Sequence, residues 1–205
     1  MKNRYILIAA QAISTLFTPF YLPTEATVVL MTFSYLNSVS MTLKLALILI
    51  VYLMTVLFPR IIIYLYRKYH GWSNHQMSRR ERRYVPYIIS IVCFSLLLLL
   101  LELLHMPHFI SAIIAAALLI QIICAIINNW IKVSTHAAAS AGIVSMLFAF
   151  SLIFNFDATN WIALSTLLCG CVCSARMILR QHTYHELLLG VITGIISGYA
   201  AVLLV

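Results

Sequence analysis

Charge is what this sequence has least of. Only 9% of its 205 residues are Asp, Glu, Lys or Arg, against about a quarter in an ordinary soluble domain. Acids are the scarcest, five in all, and so sparse a set cannot cover a water-facing surface. The chain also lacks low-complexity linkers and any stretch polar enough to form a soluble domain. Glycine and proline number only six and five, too few for a loop-rich or collagen-like chain. Cysteine is present five times, as Cys93, Cys124, Cys169, Cys171 and Cys173, all inside apolar runs. An odd number of such thiols gives no disulfide framework. The spacing Cys169-x-Cys171-x-Cys173 turns neighbouring thiols to different faces of a helix, so these read as packing residues.

What is abundant is hydrophobicity: 63% of the residues are apolar and the mean hydropathy is +1.02. Successive apolar runs reach the ~20 residues that cross a ~30 Å hydrocarbon core. In lipid the backbone must satisfy its own hydrogen bonds, so the expected fold is an all-α integral membrane bundle of about six or seven transmembrane helices. Residues 1–205 read as one domain. Lys2 and Arg4 precede an apolar stretch as in a signal peptide, but no small-x-small cleavage site follows, and the segment is expected to be retained.

The first apolar segment, about Tyr5–Leu36, is interrupted by Pro19 and Pro23, which break or kink a helix. It reads as either one kinked span or two half-helices, with Glu25 just past the break. Further spans are expected at about Thr42–Tyr66, Val85–Leu104, His108–Ile127, His136–Phe154, a run ending near Arg176, and Glu186–Val205. The last carries Gly190, Gly194 and Gly198 at four-residue spacing, a face that admits a close neighbour.

The net charge of +8 sits mostly in short segments between spans. That placement suits lipid headgroups or phosphate, and no nucleic-acid-binding module is visible. Three such segments stand out: Arg79-Arg80-Glu81-Arg82-Arg83-Tyr84-Val85-Pro86, Lys132-Val133-Ser134-Thr135-His136, and Arg176 through Glu186. Two spans separate each from the next. An even number of crossings returns the chain to the same membrane face, so all three can meet there.

These residue types suit phosphoryl transfer. A phosphate needs fixed cations and donors around its oxygens, and imidazole can serve as a nucleophile that forms a covalent intermediate. Glu186, four residues after His182, shares its helical face and can fix its tautomer. A second imidazole can protonate the leaving oxygen.

The three segments resemble the motifs of the type-2 phosphatidic acid phosphatase superfamily, K-x(6)-R-P, P-S-G-H and S-R-x(5)-H-x(3)-D. Arg176-x(5)-His182-x(3)-Glu186 keeps the third in order and spacing, Val133-Ser134-Thr135-His136 answers the second, and Arg80-x-x-Arg83-x-x-Pro86 is the loosest. The pattern looks like a divergent bacterial membrane branch, which implies a multi-pass protein of the bacterial inner membrane. The resemblance implies a lipid-phosphate or lipid-diphosphate phosphatase that works through a phosphohistidine, without metal or other cofactor. Its substrates would be phosphatidic acid, phosphatidylglycerol phosphate, polyprenyl diphosphate or lipid A phosphate. Carried over by position, His182 would be the nucleophile, Glu186 its orienting partner and His136 the acid. Arg176, Arg83, Arg80, Lys132 and Ser134 would bind phosphate.

Departures are visible. Glu186 stands for Asp, Thr135 for Gly, and the first motif has no lysine, a place Lys132 can fill. Two other readings use the same residues. A metal-binding or metal-transporting membrane protein would draw on His136, His182, His185 and Glu186, since imidazole and carboxylate suit zinc, although the arginines would repel a cation. A lipid-binding or transport relative with little catalysis would follow from the departures. The excess of Lys and Arg on the motif side points to a cytoplasmic site, whereas the resemblance implies a periplasmic one.

Overall fold

A computed structural model describes residues 2–33, 40–72, 82–155 and 157–204, with the side chains of residues 2, 3 and 33 left aside. Every regular element among these residues is helical: α1 (Lys2–Leu16), α2 (Leu22–Phe33), α3 (Met41–Tyr69), α4 (Tyr84–Leu103), α5 (His108–Ile127), α6 (Thr135–Phe154), α7 (Thr159–Ile178) and α8 (Tyr184–Leu204). Six of them, α3 to α8, are long and apolar enough to cross a membrane. Their outer faces expose Leu96, Leu99, Leu167, Ile196 and Leu203 at half of their surface or more. A water-soluble protein does not tolerate apolar area on this scale, whereas lipid does. The protein is a multi-pass helical bundle.

The helices stop for local reasons. Pro107 precedes the first residue of α5, where a missing N–H costs nothing. His105, Asn155 and Arg180 follow α4, α6 and α7 with positive φ, the left-handed turn that ends a helix and satisfies its last carbonyls. Arg180 thereby starts the short bend that carries His182.

The tightest contact lies between α6 and α8. A Cβ at Gly194 would collide with the backbone of Ala138 and Gly142, and one at Gly198 with the Gly142 carbonyl. At Gly190 the obstacle is the Ser134 carbonyl. Small residues let two backbones approach in lipid, where packing rather than water drives association. The backbone N–H of Ser134 then donates to the Glu186 carbonyl at 3.2 Å, so the starts of α6 and α8 are held in register. Phe94, Leu97, Leu101, Ile110 and Ile114 fill the neighbouring α4–α5 layer with no more than 2% exposure.

The broken first segment proves to be two short helices of 15 and 12 residues. α1 lies along α7, with Ser14 at Arg176. α2 runs back beside α5 and α6, from Pro19 and Leu22 near Gln121 to Leu30 near Phe150. The pair forms a hairpin whose tip, Phe17–Tyr21, ends inside the bundle. Glu25 faces a separate apolar cavity with Phe17, Leu22 and Leu168.

Candidate active site

Helix direction decides where the polar residues go. α4, α6 and α8 begin at the end of the bundle where α3, α5 and α7 finish. At that end lies a cavity of about 390 Å³. α4 contributes Arg83 at its cap, then Pro86, Tyr87 and Ser90; α6 contributes Thr135 and His136 in its first turn; α7 contributes Arg176 near its end; and the α7–α8 bend contributes His182. Gln121 of α5, Arg60 of α3 and the hairpin tip Thr18-Pro19-Phe20 complete the wall. The first turns of two helices meet the cavity and a third helix starts just after His182. A helix N-terminus carries a positive partial charge and unsatisfied N–H groups, which favours an anion.

His182 is held most firmly. Its side chain is 1% exposed, and its Nδ1 lies 2.7 Å from Oε2 of Glu186. The Thr183 N–H reaches the same oxygen at 3.4 Å. With Nδ1–H donating a hydrogen bond to the carboxylate, Nε2 keeps its lone pair. Burial holds the His182 imidazole well below its usual range, and the nearby charges of Arg176, Arg83 and Lys132 push the same way. The ring is therefore neutral at neutral pH, the state a nucleophile requires.

Each cation has its own support. Arg176, 8% exposed, donates from Nη1 to the Ser14 hydroxyl at 2.7 Å. Its Nε is buried with no hydrogen-bond partner among the described residues, as is Thr18 Oγ1. Buried polar atoms are rarely left this way, and both belong to residues that line the cavity. Arg83 donates to the Val133 carbonyl at 3.3 Å. The Tyr84 hydroxyl bonds to Asn129, so the start of α4 is tied to the α5–α6 connection on two sides.

Not every residue expected to bind phosphate reaches the cavity. Lys132 Nζ donates to the Gln181 carbonyl at 2.7 Å, bracing the bend before His182. Ser134 is fully buried and caps α6, its Oγ accepting from the Ala137 N–H at 3.4 Å. Arg80 lies outside the described residues. His185 is exposed, stands beside Tyr184, and is not part of the cavity wall. Among the described residues no group of three or more His, Cys, Asp or Glu is arranged to hold a metal ion.

Sequence reasoning missed Arg60, Gln121 and Tyr87. Arg60 had a signal, a lone charge within the apolar run Val56–Tyr66, and an ionisable residue inside a span marks a functional position by default. Gln121 carried a fainter one, a single amide deep in a mostly apolar span.

No family model, curated protein or solved structure matches the chain. The functional reading therefore stands on the residues themselves.

Proposed function

We propose that this protein hydrolyses a phosphate or diphosphate ester of a membrane lipid through a phosphohistidine intermediate. The observation that carries the reading is a buried, carboxylate-oriented imidazole, His182, facing a cavity shared with Arg83, Arg176 and a second imidazole, His136. The resemblance of its third polar segment to type-2 phosphatidic acid phosphatases supports the same chemistry.

The steps follow from charge and geometry. Arg83 and Arg176 bind the phosphate oxygens and neutralise charge that gathers on them in the transition state. His182 Nε2 attacks phosphorus, the bond to the leaving oxygen breaks, and His136 donates a proton to that oxygen. His136 then takes a proton from water as the water oxygen attacks phosphorus; the phosphorus–nitrogen bond breaks, releasing inorganic phosphate and restoring both imidazoles. Glu186, accepting the hydrogen bond from Nδ1, holds that proton in place and leaves Nε2 free to attack.

Phosphate release from phosphatidic acid, phosphatidylglycerol phosphate, a polyprenyl diphosphate and lipid A phosphate, in nanodiscs with chelator present, tests the reading. His182→Ala should lower the rate by about a thousandfold or more, since nothing replaces a covalent nucleophile, with the protein still folded. His185→Ala should remain active. An inactive His185→Ala beside an active His182→Ala would overturn the assignment, and release from no lipid would favour a binding or transport role.

A further inference from the structure

Arg60 is out of place for an ordinary membrane-span residue. It lies nine positions before Tyr69 at the site end of α3, or about 13 Å below it at 1.5 Å per residue. The interfacial positions at that end belong to Arg67 and Lys68. Its neighbours Leu57, Phe58, Ile61 and Ile62 are each about two-fifths exposed on the outer face, where lipid would lie. A charge at this depth is costly unless it is used, and among the described residues Arg60 forms no ion pair with a carboxylate. Instead the guanidinium turns to the hairpin tip. It donates to the Tyr21 hydroxyl at 2.6 Å, sits 4.5 Å from the centre of that ring, and lines the same cavity as His136, Arg176 and His182. A phenol orients a guanidinium without neutralising it.

We infer that Arg60, positioned by Tyr21, forms a second anion subsite at the lipid-facing mouth of the cavity, which selects lipids carrying two phosphoryl groups in series. The inference rests on the phosphatase reading for its chemistry and on its own observations for the subsite. Three guanidinium groups face the cavity, and among the described residues no carboxylate lines it. Glu186 is committed to His182. Arg83 and Arg176 suffice for one phosphate; the third cation stands on the side from which a lipid arrives. A lipid diphosphate would place its terminal phosphorus at His182 and its lipid-linked phosphate at Arg60. His182 Nε2 then bonds to the terminal phosphorus, and the bond from that phosphorus to the bridging oxygen breaks. The bridging oxygen takes the electron pair and leaves with the lipid monophosphate, whose added charge Arg60 offsets. Water cleaves the phosphohistidine as before.

Two measurements test the subsite. The first compares kcat/KM for a diphosphate and a monophosphate on the same lipid tail. Arg60→Gln should reduce the diphosphate-to-monophosphate ratio about tenfold or more, the loss of one charge-assisted contact. Arg60→Lys should fall between, keeping charge without the fork, and Tyr21→Phe should lower the ratio less. A purely structural role would depress both substrates alike and leave the ratio fixed, and that result overturns the proposal. The second is independent of turnover: binding of inorganic pyrophosphate and of inorganic phosphate to His182→Ala protein in detergent, with and without Arg60→Gln. Pyrophosphate should bind more tightly, and Arg60→Gln should remove that preference. If no lipid is hydrolysed yet the preference disappears with Arg60, the phosphatase reading fails and the subsite stands. An equal affinity for both anions, or a preference indifferent to Arg60, removes the subsite whatever the activity.

Discussion

The two sides of the cavity are built in different ways. On one side α6 and α8 press backbone to backbone, and 56% of the most apolar stretch of α6 is buried. On the other, α3 is 28% buried over its corresponding stretch, contains a π-helical turn at Leu53–Leu57, and meets a hairpin of two short helices. The proposed reacting groups, His136 and His182, belong to the tight side. Arg60 and the Thr18–Tyr21 tip, proposed to meet the outside of the substrate, belong to the loose side. Chemistry needs its atoms fixed within fractions of an ångström, whereas entry of a lipid needs a wall that yields. The π turn fits that division, since such turns relax a helix locally and occur often at functional sites.

Breaking the tight side should have the largest effect. At Gly194 an added Cβ meets the Ala138 carbonyl and the Gly142 amide, both backbone, so the helices must separate. Gly194→Ala is expected to cost about 3 kcal/mol, the upper part of the range for overpacking. Gly170 of α7 is the control: a Cβ there meets nothing within 4 Å, and alanine is the better helix former by up to ~1 kcal/mol. Gly170→Ala should therefore be neutral or stabilising. Thermal unfolding in detergent checks both, and equal effects at the two glycines would mean that α6 and α8 do not pack through this face.

Much of the tight side was legible in the sequence. The four-residue step from His182 to Glu186 gave their hydrogen bond, because i and i+4 share a helical face. Parity of crossings placed Arg83, His136 and Arg176 at one end, because each span must end opposite its start. The glycine spacing gave α8 a close neighbour, though not that the neighbour is α6, nor the consequence of linking Ser134 to Glu186. The loose side was less legible. Two prolines announce a break, but the direction taken after it depends on α5, α6 and α7, which local sequence does not encode. Lys132 reads as a phosphate ligand from its place in the motifs, and nothing in the sequence announces that its amine also donates to the Gln181 carbonyl. Arg60 was passed over because an isolated arginine forms no spacing pattern.

A smaller effect is expected at Glu186, which touches the reacting ring from the tight side. Glu186→Gln keeps the shape and removes the acceptor charge, so kcat should fall about tenfold with KM little changed, the pattern of an interaction made in the transition state. Glu186→Asp draws the carboxylate back by a methylene and should also impair turnover. The pH profile sharpens the point. A free imidazole is half protonated near pH 6.5, but burial and the neighbouring cations lower His182. Protons then bind the unfolded chain in preference below pH 6.5, so this group favours the folded state increasingly as pH rises to that value and no further. The acid limb of kcat/KM should accordingly lie below pH 6.5. A limb at or above it would mean that the ring titrates as if solvated.

The smallest effect should come from Ser14, where the hairpin touches the catalytic end. Its hydroxyl accepts from Arg176 at 2.7 Å across the α1–α7 contact, a link between the hairpin and a cation of the cavity wall. Ser14→Ala removes an acceptor from a guanidinium whose Nε already lacks one. The charge remains and a bound phosphate can replace the lost partner, so the free protein should suffer more than the complex. The expectation is a loss of stability of about 1 kcal/mol without ligand, reduced when inorganic phosphate is bound, with kcat changed less than about threefold. Unfolding measured with and without phosphate separates the cases. If phosphate fails to narrow the difference between wild type and Ser14→Ala, Arg176 does not meet the anion. If kcat instead falls as far as in Glu186→Gln, the hairpin takes part in fixing the reacting groups, and the division between a rigid and a yielding wall is wrong.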